Sequence, residues 1–212
     1  MSSILTVFTD GACSNNGKSS AKAGLGVYFG EEDIRNISKA VTGKQSNNTA
    51  ELSAVLEVFR ILKEEIDDGE EIYIYSDSEY TINCCGSYGE KCKKKGWKNK
   101  KGYIPNYELV SELYELFLEN RNVVINHVKA HTGLNDELSL GNEGADRLAN
   151  EAIGLTSCPY FKKPKYYLNV LYADKGKAKS LGSKWDSIKK QWYYEADDDN
   201  DENLIKLQQM FS

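Results

Sequence analysis

The chain lacks the features that mark membrane-spanning and secreted proteins. None of its 212 residues falls in a run of 18 apolar residues, and the N-terminal SSILTVFTD has neither a basic region nor a long apolar stretch. Its five cysteines form no Cys-x-x-Cys pair and no Cys/His zinc spacing, and their odd number argues against a disulfide framework. We therefore expect reduced thiols in an intracellular protein, cytoplasmic or nuclear, with no signal peptide or transmembrane segment.

The net charge of −5 is unfavourable for nucleic-acid binding until the charges are located along the chain. Seven lysines and no acid lie between Lys91 and Lys101, and nine lysines lie between Tyr160 and Ala196. Much of the negative charge is concentrated in the acidic run at 197–202. Because binding depends on the local field more than on the total charge, both lysine-rich segments are candidate nucleic-acid contacts.

Hydrophobic periodicity predicts an α/β protein. ILTVF, AGLGVYF and a segment at 36–42 alternate as strands, and a pattern of three and four then begins near Thr49, with Asn48 or Thr49 as the N-cap. A buried strand EIYIYSD, helical TINCC and NYELVSELYELFLEN, a strand NVVINHV and a closing helix GNEGADRLANEAI follow. The predicted order is βββαβαβα.

Four short acidic motifs lie where predicted strands and helices begin or end. FTDGAC carries Asp10, NNTAEL carries Glu51, YSDSEY carries Asp77 and GNEGAD carries Asp146. Each acid alone is typical of a solvated turn or a helix start. Together they indicate oxygen ligands for divalent cations, and a pair of such ions can activate water and stabilise a leaving oxygen. The set predicts a metal-dependent nuclease.

These motifs also carry a resemblance to a known family. TDGACSNNG, TAEL, YSDS and HVKAHTG…GNEGADRLANEA occur in the order found in ribonuclease H type 1, in its eukaryotic form. The resemblance covers 1–156 and includes the insertion INCCGSYGEKCKKKGWK. It implies a ribonuclease H-like fold, a five-stranded mixed sheet flanked by helices. It also implies an endonuclease that hydrolyses the RNA strand of RNA/DNA hybrids and leaves a 5′-phosphate and a 3′-hydroxyl.

The resemblance implies a role for each acid. Asp10, Glu51 and Asp77 would be the core metal ligands, and Asp146 would complete a site for two Mg²⁺ ions, with Mn²⁺ as a substitute. Water on one ion would attack the phosphorus, and the second ion would stabilise the departing 3′ oxygen. His131 in KAHTG would be the family's loop histidine, which assists proton transfer or product release.

The loop TGLNDELSLG after His131 is longer than in the family form and adds Asp136 and Glu137. These acids are expected to affect the mobility of His131 or the affinity for metal. The other histidine, His127, lies four residues earlier in a predicted strand, and its context favours a structural role over zinc binding.

Short polar and basic residues are implied in substrate contacts, and ordinary turn chemistry or a solvated surface is the alternative for each group. RNA and minor-groove contacts are assigned to Cys13, Ser14, Asn16, Asn47 and Asn48. A DNA phosphate is assigned to Lys44, Ser46 and Asn106. The basic protrusion is assigned to Lys91, Lys93, Lys94, Lys95, Trp97 and Lys98, and the DNA-channel aromatics are Tyr80 and Tyr88.

A second, smaller unit is predicted after a linker at 157–165. Residues 166–212 are expected to form an accessory α+β module of strand, helix and strand. LNVLYADKGKAKSLGSKWDSIKKQWY is similar to a short module of uncharacterised function. Its lysines favour nucleic-acid binding as much as a packing or protein-interaction role, and the acidic run is either a solvated loop or a phosphate mimic.

Two other classes remain as alternatives for the whole chain. A non-catalytic nucleic-acid-binding member of the fold would normally have lost an acid, whereas all four are present. A DNA nuclease, resolvase or integrase would need the same acids, but TDGACSNNG and the lysine-rich insertion favour an RNA/DNA hybrid as the partner. A monomer is the default expectation.

Overall fold

The computed structural model describes residues 4–130, 132–155, 165–187, 189–196 and 201–211. The chain divides into two compact units, Met1–Tyr160 and Phe161–Ser212, and each has its own hydrophobic core. His131 and nearly all of the predicted linker lie outside the described residues. No helix in the described ranges is both long and apolar enough to cross a membrane.

The first unit is built on a mixed five-stranded sheet with the strand order β3-β2-β1-β4-β7. β1, β2 and β3 form an antiparallel meander, whereas β4 runs parallel to β1 and β7 runs parallel to β4. The sheet strands are β1 (Ile4–Ser14), β2 (Lys22–Tyr28), β3 (Ile37–Ala40), β4 (Glu71–Ser76) and β7 (Val123–His127). The predicted mixed sheet is confirmed, and β1 sits at its centre.

Helices flank this sheet, and a short hairpin projects between two of them. The helices are α1 (Asn47–Ile61), α2 (Lys63–Asp67), α3 (Glu79–Cys85), α4 (Ser87–Lys94), α5 (Tyr107–Glu119) and α6 (Glu137–Glu151). The hairpin strands are β5 (Lys98–Asn99) and β6 (Gly102–Tyr103). Apolar side chains of α1, including Leu52, Val55 and Val58, are fully buried in the main core, which fixes α1 on the sheet.

Two helices begin earlier than the sequence predicted. Ser46, rather than Asn48 or Thr49, caps α1, because its hydroxyl accepts from the Thr49 amide while its own amide donates to the Thr49 hydroxyl. α6 begins at Glu137 with Asp136 as its N-cap, which accepts from the Ser139 amide at 3.1 Å. The second half of the predicted loop TGLNDELSLG is therefore helical.

The second unit is a three-stranded antiparallel sheet with the order β8-β10-β9. Its elements are β8 (Lys165–Leu168), a 3₁₀ turn (Tyr172–Asp174), α7 (Lys175–Ser180), β9 (Lys184–Asp186), β10 (Gln191–Glu195) and α8 (Glu202–Phe211). A small α+β module was predicted, but β9 and α8 were missed. Asp201 accepts from the amides of Asn203 and Leu204, so the end of the acidic run starts a helix rather than a loop.

Candidate active site

Asp10 lies in the middle of the central strand β1 and is only 7% exposed. The backbone amide of Gly11 donates to its Oδ1 at 2.7 Å. A carboxyl group this deeply buried in a sheet costs free energy when ionised, unless other charges or ions compensate for it. Its burial therefore makes Asp10 a candidate functional residue.

Gly11 lets helix α1 approach β1 closely enough to place Glu51 beside Asp10. A Cβ atom added to Gly11 would lie 2.3 Å from the backbone nitrogen of Glu51 and 2.7 Å from the carbonyl carbon of Ala50. Any side chain at this position would push the helix away from the strand. The absence of a side chain at Gly11 thus allows the helix that carries Glu51 to pack closely against β1.

Glycines on β2 do the same for helix α6. Gly26 pairs with Asp10 across the sheet, and a Cβ added to it would lie 2.1 Å from the carbonyl oxygen of Ala145. A Cβ added to Gly24 would lie 2.5 Å from the carbonyl oxygen of Ala149. Because successive residues of a strand face opposite sides, α1 and α6 pack on opposite faces, and α6 brings Asp146 towards Asp10.

Asp77 directly follows β4, the parallel neighbour of β1. Its Oδ2 accepts from the Asn142 side-chain amide at 3.1 Å, which joins the end of β4 to α6. Asn142 is almost fully buried, and its Oδ1 has no hydrogen-bond partner among the described residues. A polar oxygen is thus buried beside the acids and is available to a ligand or a bound water.

Asn142 and Asn150 were not selected from the sequence, although their spacing could have revealed them. They lie four residues before and four residues after Asp146 and share one face of α6. The Asn150 side-chain amide donates to Asp146 Oδ1 at 3.0 Å. One face of this helix therefore supplies an acid and two amides that orient acids.

Glu51 is held by two neighbours, one of which was predicted to contact RNA. Asn47, one turn earlier on α1, donates to Glu51 Oε1 at 2.6 Å. The hydroxyl of Ser78, which caps α3, donates to Glu51 Oε2. Ser78 follows Asp77 directly, so the YSDS turn both supplies one acid and orients another.

Asp10 lies within the electrostatic field of the other three acids, and Glu51 lies within that of Asp77. Burial raises the pKa of Asp10 well above its usual value, the charges of Asp77, Asp146 and Glu51 raise it further, and the Gly11 amide opposes the shift. Burial also raises the pKa of Glu51, the Ser78 hydrogen bond opposes that, and Asp77 adds to it. Like charges brought this close favour either protonation or a bound cation.

The donor set suits magnesium, which prefers a few carboxylate oxygens together with water and substrate phosphate. In the described part of the chain, no three His, Cys, Asp or Glu side chains are already spaced as a finished metal site. Both Glu51 oxygens are instead held by Asn47 and Ser78. The residues fit Mg²⁺ in their chemistry.

His131 lies outside the described residues, but the segment after it does not. The hydroxyls of Thr132 and Ser139 lie 2.7 Å apart, and Ser139 also donates to Asp136 at 2.8 Å. The hydrogen bonds from the Ser139 hydroxyl and amide lower the pKa of Asp136, and the Thr132 contact ties the segment to the start of α6. Asp136, one of the two acids expected to affect His131 or the affinity for metal, caps α6. His127 ends β7 opposite Ser76.

The residues assigned to a DNA phosphate are partly brought together. Lys44 Nζ donates to Asn106 Oδ1 at 3.0 Å, although 62 residues separate them. Ser46 is engaged as the α1 cap. Of the residues assigned to RNA, Cys13 and Ser14 end β1, Asn16 lies in the following turn, and Asn47 and Asn48 begin α1.

The basic protrusion is anchored by aromatic residues. Trp97 is partly buried against the main core, with its ring centroid 6.0 Å from that of Tyr114. Lys93 forms an ion pair with Glu115, and Lys94 forms one with Glu90. Lys98 lies over the ring of Tyr103. Lys91 and Lys95 are exposed. Tyr80 and Tyr88 also pack against the core, whereas Tyr103, which the sequence did not single out, is 57% exposed.

Comparison with known proteins decides the family. The family model for RNase H matches residues 2–154. The chain belongs to the RNase H family. It is 35% identical over 152 residues to Ribonuclease H1 of Mus musculus, which covers 71% of this chain and 50% of that protein. It is 37% identical over 149 residues to Ribonuclease H of Clostridium botulinum (strain Hall), which covers 69% of this chain and 93% of that protein.

The fold and the second unit of this RNase H family member are matched as well. The solution structure of the PFV RNase H domain aligns with a TM-score of 0.55 and 22% identity, over 69% of this chain and 92% of that domain. A domain of unknown function, DUF5710, matches residues 165–204. Both resemblances seen in the sequence are confirmed. The chain spans about half the length of the mouse relative.

Proposed function

We propose that this RNase H family member is an endonuclease that hydrolyses the RNA strand of RNA/DNA hybrids. The observation that carries the proposal is the position of Asp10, buried in β1 within the field of Glu51, Asp77 and Asp146. The curated relatives named ribonuclease H support the same activity. Residues 1–156 would carry it, 157–165 would link, and 166–212 would be accessory.

The four acids would hold two divalent cations, Mg²⁺ or in its place Mn²⁺. When bound, these ions activate a water for attack on phosphorus and stabilise the departing 3′ oxygen, which leaves a 5′-phosphate and a 3′-hydroxyl. Asp10 is fixed by the Gly11 amide and Asp77 by Asn142, so these two carboxylates are pre-oriented. Glu51 would leave its bond to Ser78 or Asn47 to join them.

Other residues would position the hybrid. Asn47 and Asn48 at the start of α1, with the end of β1, would contact the RNA 2′-hydroxyls through the minor groove. Lys44 beside Asn106 would bind a DNA phosphate, and exposed lysines of the protrusion would neutralise further phosphates of that strand. His131 would assist proton transfer or product release.

The decisive experiment presents one labelled RNA as a single strand, an RNA duplex and an RNA/DNA hybrid, each with Mg²⁺ and with EDTA. We expect cleavage of the hybrid alone and only with the metal. A polymerase should extend the products directly, because they end in a 3′-hydroxyl. A labelled DNA duplex in the same assay tests for a DNA nuclease of the same fold.

Asp77→Asn is the critical variant, since it removes an anionic ligand while nearly preserving shape. We expect a folded protein without measurable cleavage. Asp68→Asn makes the same chemical change at an exposed position after α2 and should leave the rate unchanged. Full activity of Asp77→Asn would contradict the assignment of the acids, and a well-folded wild type that binds hybrid without cutting it would favour the non-catalytic alternative.

A monomer would suffice for this activity, because all four acids come from one chain. Light scattering coupled to gel filtration should report the mass of one chain at the concentration of the cleavage assay. Activity confined to a larger species would contradict that part of the proposal.

A further inference from the structure

The sheet of the second unit has two chemically different faces. Leu168 and Trp192 are cross-strand partners and lie in the small core with Ala178 of α7 and Leu207 of α8. Both helices therefore pack on this face. Because side chains alternate along a strand, the neighbouring residues Tyr167 and Tyr193 project from the opposite face.

Two tyrosines form the centre of that opposite face. Tyr167 and Tyr193 are direct partners across β8 and β10, with their ring centroids 6.0 Å apart. Neither ring belongs to the hydrophobic core of the unit, and both are partly exposed. Lys184 of β9 is the partner of Tyr193 on its other side, so the aromatic pair continues into a basic edge.

Lysines lie directly over both rings. Lys165 Nζ is 4.2 Å from the ring centroid of Tyr193, and Lys189 Nζ is 4.2 Å from that of Tyr167. Such ammonium groups are attracted to the π face, yet their long stems allow them to move aside for a ligand. The face thus pairs each aromatic ring with a positive charge beside it.

The acids on this face are engaged within it. Asp186 accepts from the Tyr167 hydroxyl at 2.9 Å and lies 3.7 Å from Lys165 Nζ. Glu195 forms an ion pair with Lys184. Three lysines face two acids here, and Lys190 adjoins them in the turn before β10.

We propose that the face formed by Tyr167, Tyr193, Lys165, Lys184 and Lys189 binds single-stranded nucleic acid. Unpaired bases would stack on the two rings while the lysines contact the phosphates. A duplex keeps its base faces stacked inside and could use only the lysines, and an acidic peptide would have no need of two adjacent rings. This site is separate from the four acids, so it stands or falls independently of hydrolysis.

The test uses the full chain in EDTA, with fluorescence anisotropy of a labelled oligodeoxythymidine and of an RNA/DNA hybrid. Tyr193→Leu removes the stacking surface and should weaken binding of the single strand about tenfold or more, whereas Tyr193→Phe should bind like the wild type. Tyr172→Leu is the matched control, since Tyr172 is 81% exposed, lies outside the face and should have no effect.

A second variant guards against a folding defect in Tyr193→Leu. Lys165→Gln with Lys189→Gln changes only surface charge and should reduce the slope of log affinity against log salt by about 1.4, or about 0.7 per phosphate contact. Lys206→Gln on α8 is its control. Unchanged single-strand affinity together with an unchanged salt slope would overturn the proposal. So would variants that weaken binding of the RNA/DNA hybrid alone, or variants that change only how well added polyglutamate competes for the protein.

Discussion

The Cβ atom that Gly11 lacks would lie 2.3 Å from the backbone nitrogen of Glu51. Real contacts are never this short, so Gly11→Ala must displace α1 or bend β1. We expect a loss of about 1–3 kcal/mol in the free energy of unfolding. We also expect a large loss of hybrid cleavage, because Glu51 moves away from Asp10.

Chemical denaturation and the cleavage assay on the same preparation check this prediction. Gly176→Ala is the control, because nothing lies within 4 Å of a Cβ added there and Gly176 is inside α7. That change should be neutral or stabilise by up to about 1 kcal/mol. Wild-type stability and activity in Gly11→Ala would show that α1 does not need a glycine at position 11.

Asp10→Asn should raise the melting temperature of the metal-free protein at neutral pH while it removes activity. Burial and the neighbouring acids raise the folded-state pKa of Asp10 above its unfolded value. Stability from such a group is present below the unfolded pKa and is lost as pH rises through the folded pKa. The asparagine carries no charge, so its advantage should grow from pH 4 to pH 7 and shrink with Mg²⁺.

Calorimetry of both proteins over that pH range, with EDTA and with Mg²⁺, measures the effect. Each kcal/mol corresponds to about 2–4 °C for a chain of this size. A melting temperature of Asp10→Asn below that of the wild type, in EDTA at neutral pH, would mean that ionised Asp10 is not destabilised by burial and by the neighbouring acids.

Asn142→Ala should lower hybrid cleavage about 10- to 100-fold and weaken Mg²⁺ binding, because Asp77 loses the amide that orients it. The concentration of Mg²⁺ needed for half-maximal activity separates this effect from a general loss of folded protein. Asn83→Ala is the comparison, since the Asn83 side chain is exposed and donates to a backbone carbonyl of its own helix α3. An unchanged Mg²⁺ dependence in Asn142→Ala would remove Asn142 from the site.

Lys44→Gln should weaken hybrid binding and reduce the salt slope by about one unit, the loss of one phosphate contact. Lys63→Gln, at an exposed residue paired with Asp67, should leave both unchanged. Anisotropy of a labelled hybrid at several salt concentrations gives both quantities. An equal effect of the two variants would reduce Lys44 to a general surface charge.

The buried cysteines should resist alkylation in the folded protein at pH 8. Burial raises the pKa of Cys84 to about 11 and also raises that of Cys85, so little thiolate forms. Cys13 is partly exposed and should react first among the described cysteines. Peptide mapping by mass spectrometry after iodoacetamide treatment checks the order, and rapid labelling of Cys85 would contradict its burial.

The sheet could be predicted, and the four acids could be proposed as a site, because their sequence signals are local. Strand alternation and the three-four repeat of α1 depend on neighbouring residues, and each acid sits in a short motif. Ser78 and Gly26 were missed because their roles depend on contacts across the fold. The position of Asn142 four residues before Asp146 is visible in the sequence, but its bond to Asp77 is not. The Asn142 amide reaches Asp77 over 65 residues, and Gly26 matters only through its approach to Ala145.

The C-terminal helix was missed for a different reason. An acidic run predicts a solvated segment on composition, but Asp201 uses its carboxylate to cap α8. Leu204, Leu207 and Phe211 are buried, and Leu207 and Phe211 lie in the small core. The cap and the three buried apolar residues stabilise the helix despite the acidic residues that precede it.

The packing of α6 on Gly24 and Gly26 positions Asp146 independently of the segment that precedes the helix. The helix packs closely on β2, because a Cβ added to Gly24 or Gly26 would lie 2.5 Å from the carbonyl oxygen of Ala149 or 2.1 Å from that of Ala145. We therefore expect the position of Asp146 to tolerate residues gained or lost in segment 132–136. The part of TGLNDELSLG that precedes α6 is where the sequence suggested an insertion, and a change of length there would leave the candidate acid on α6 in place.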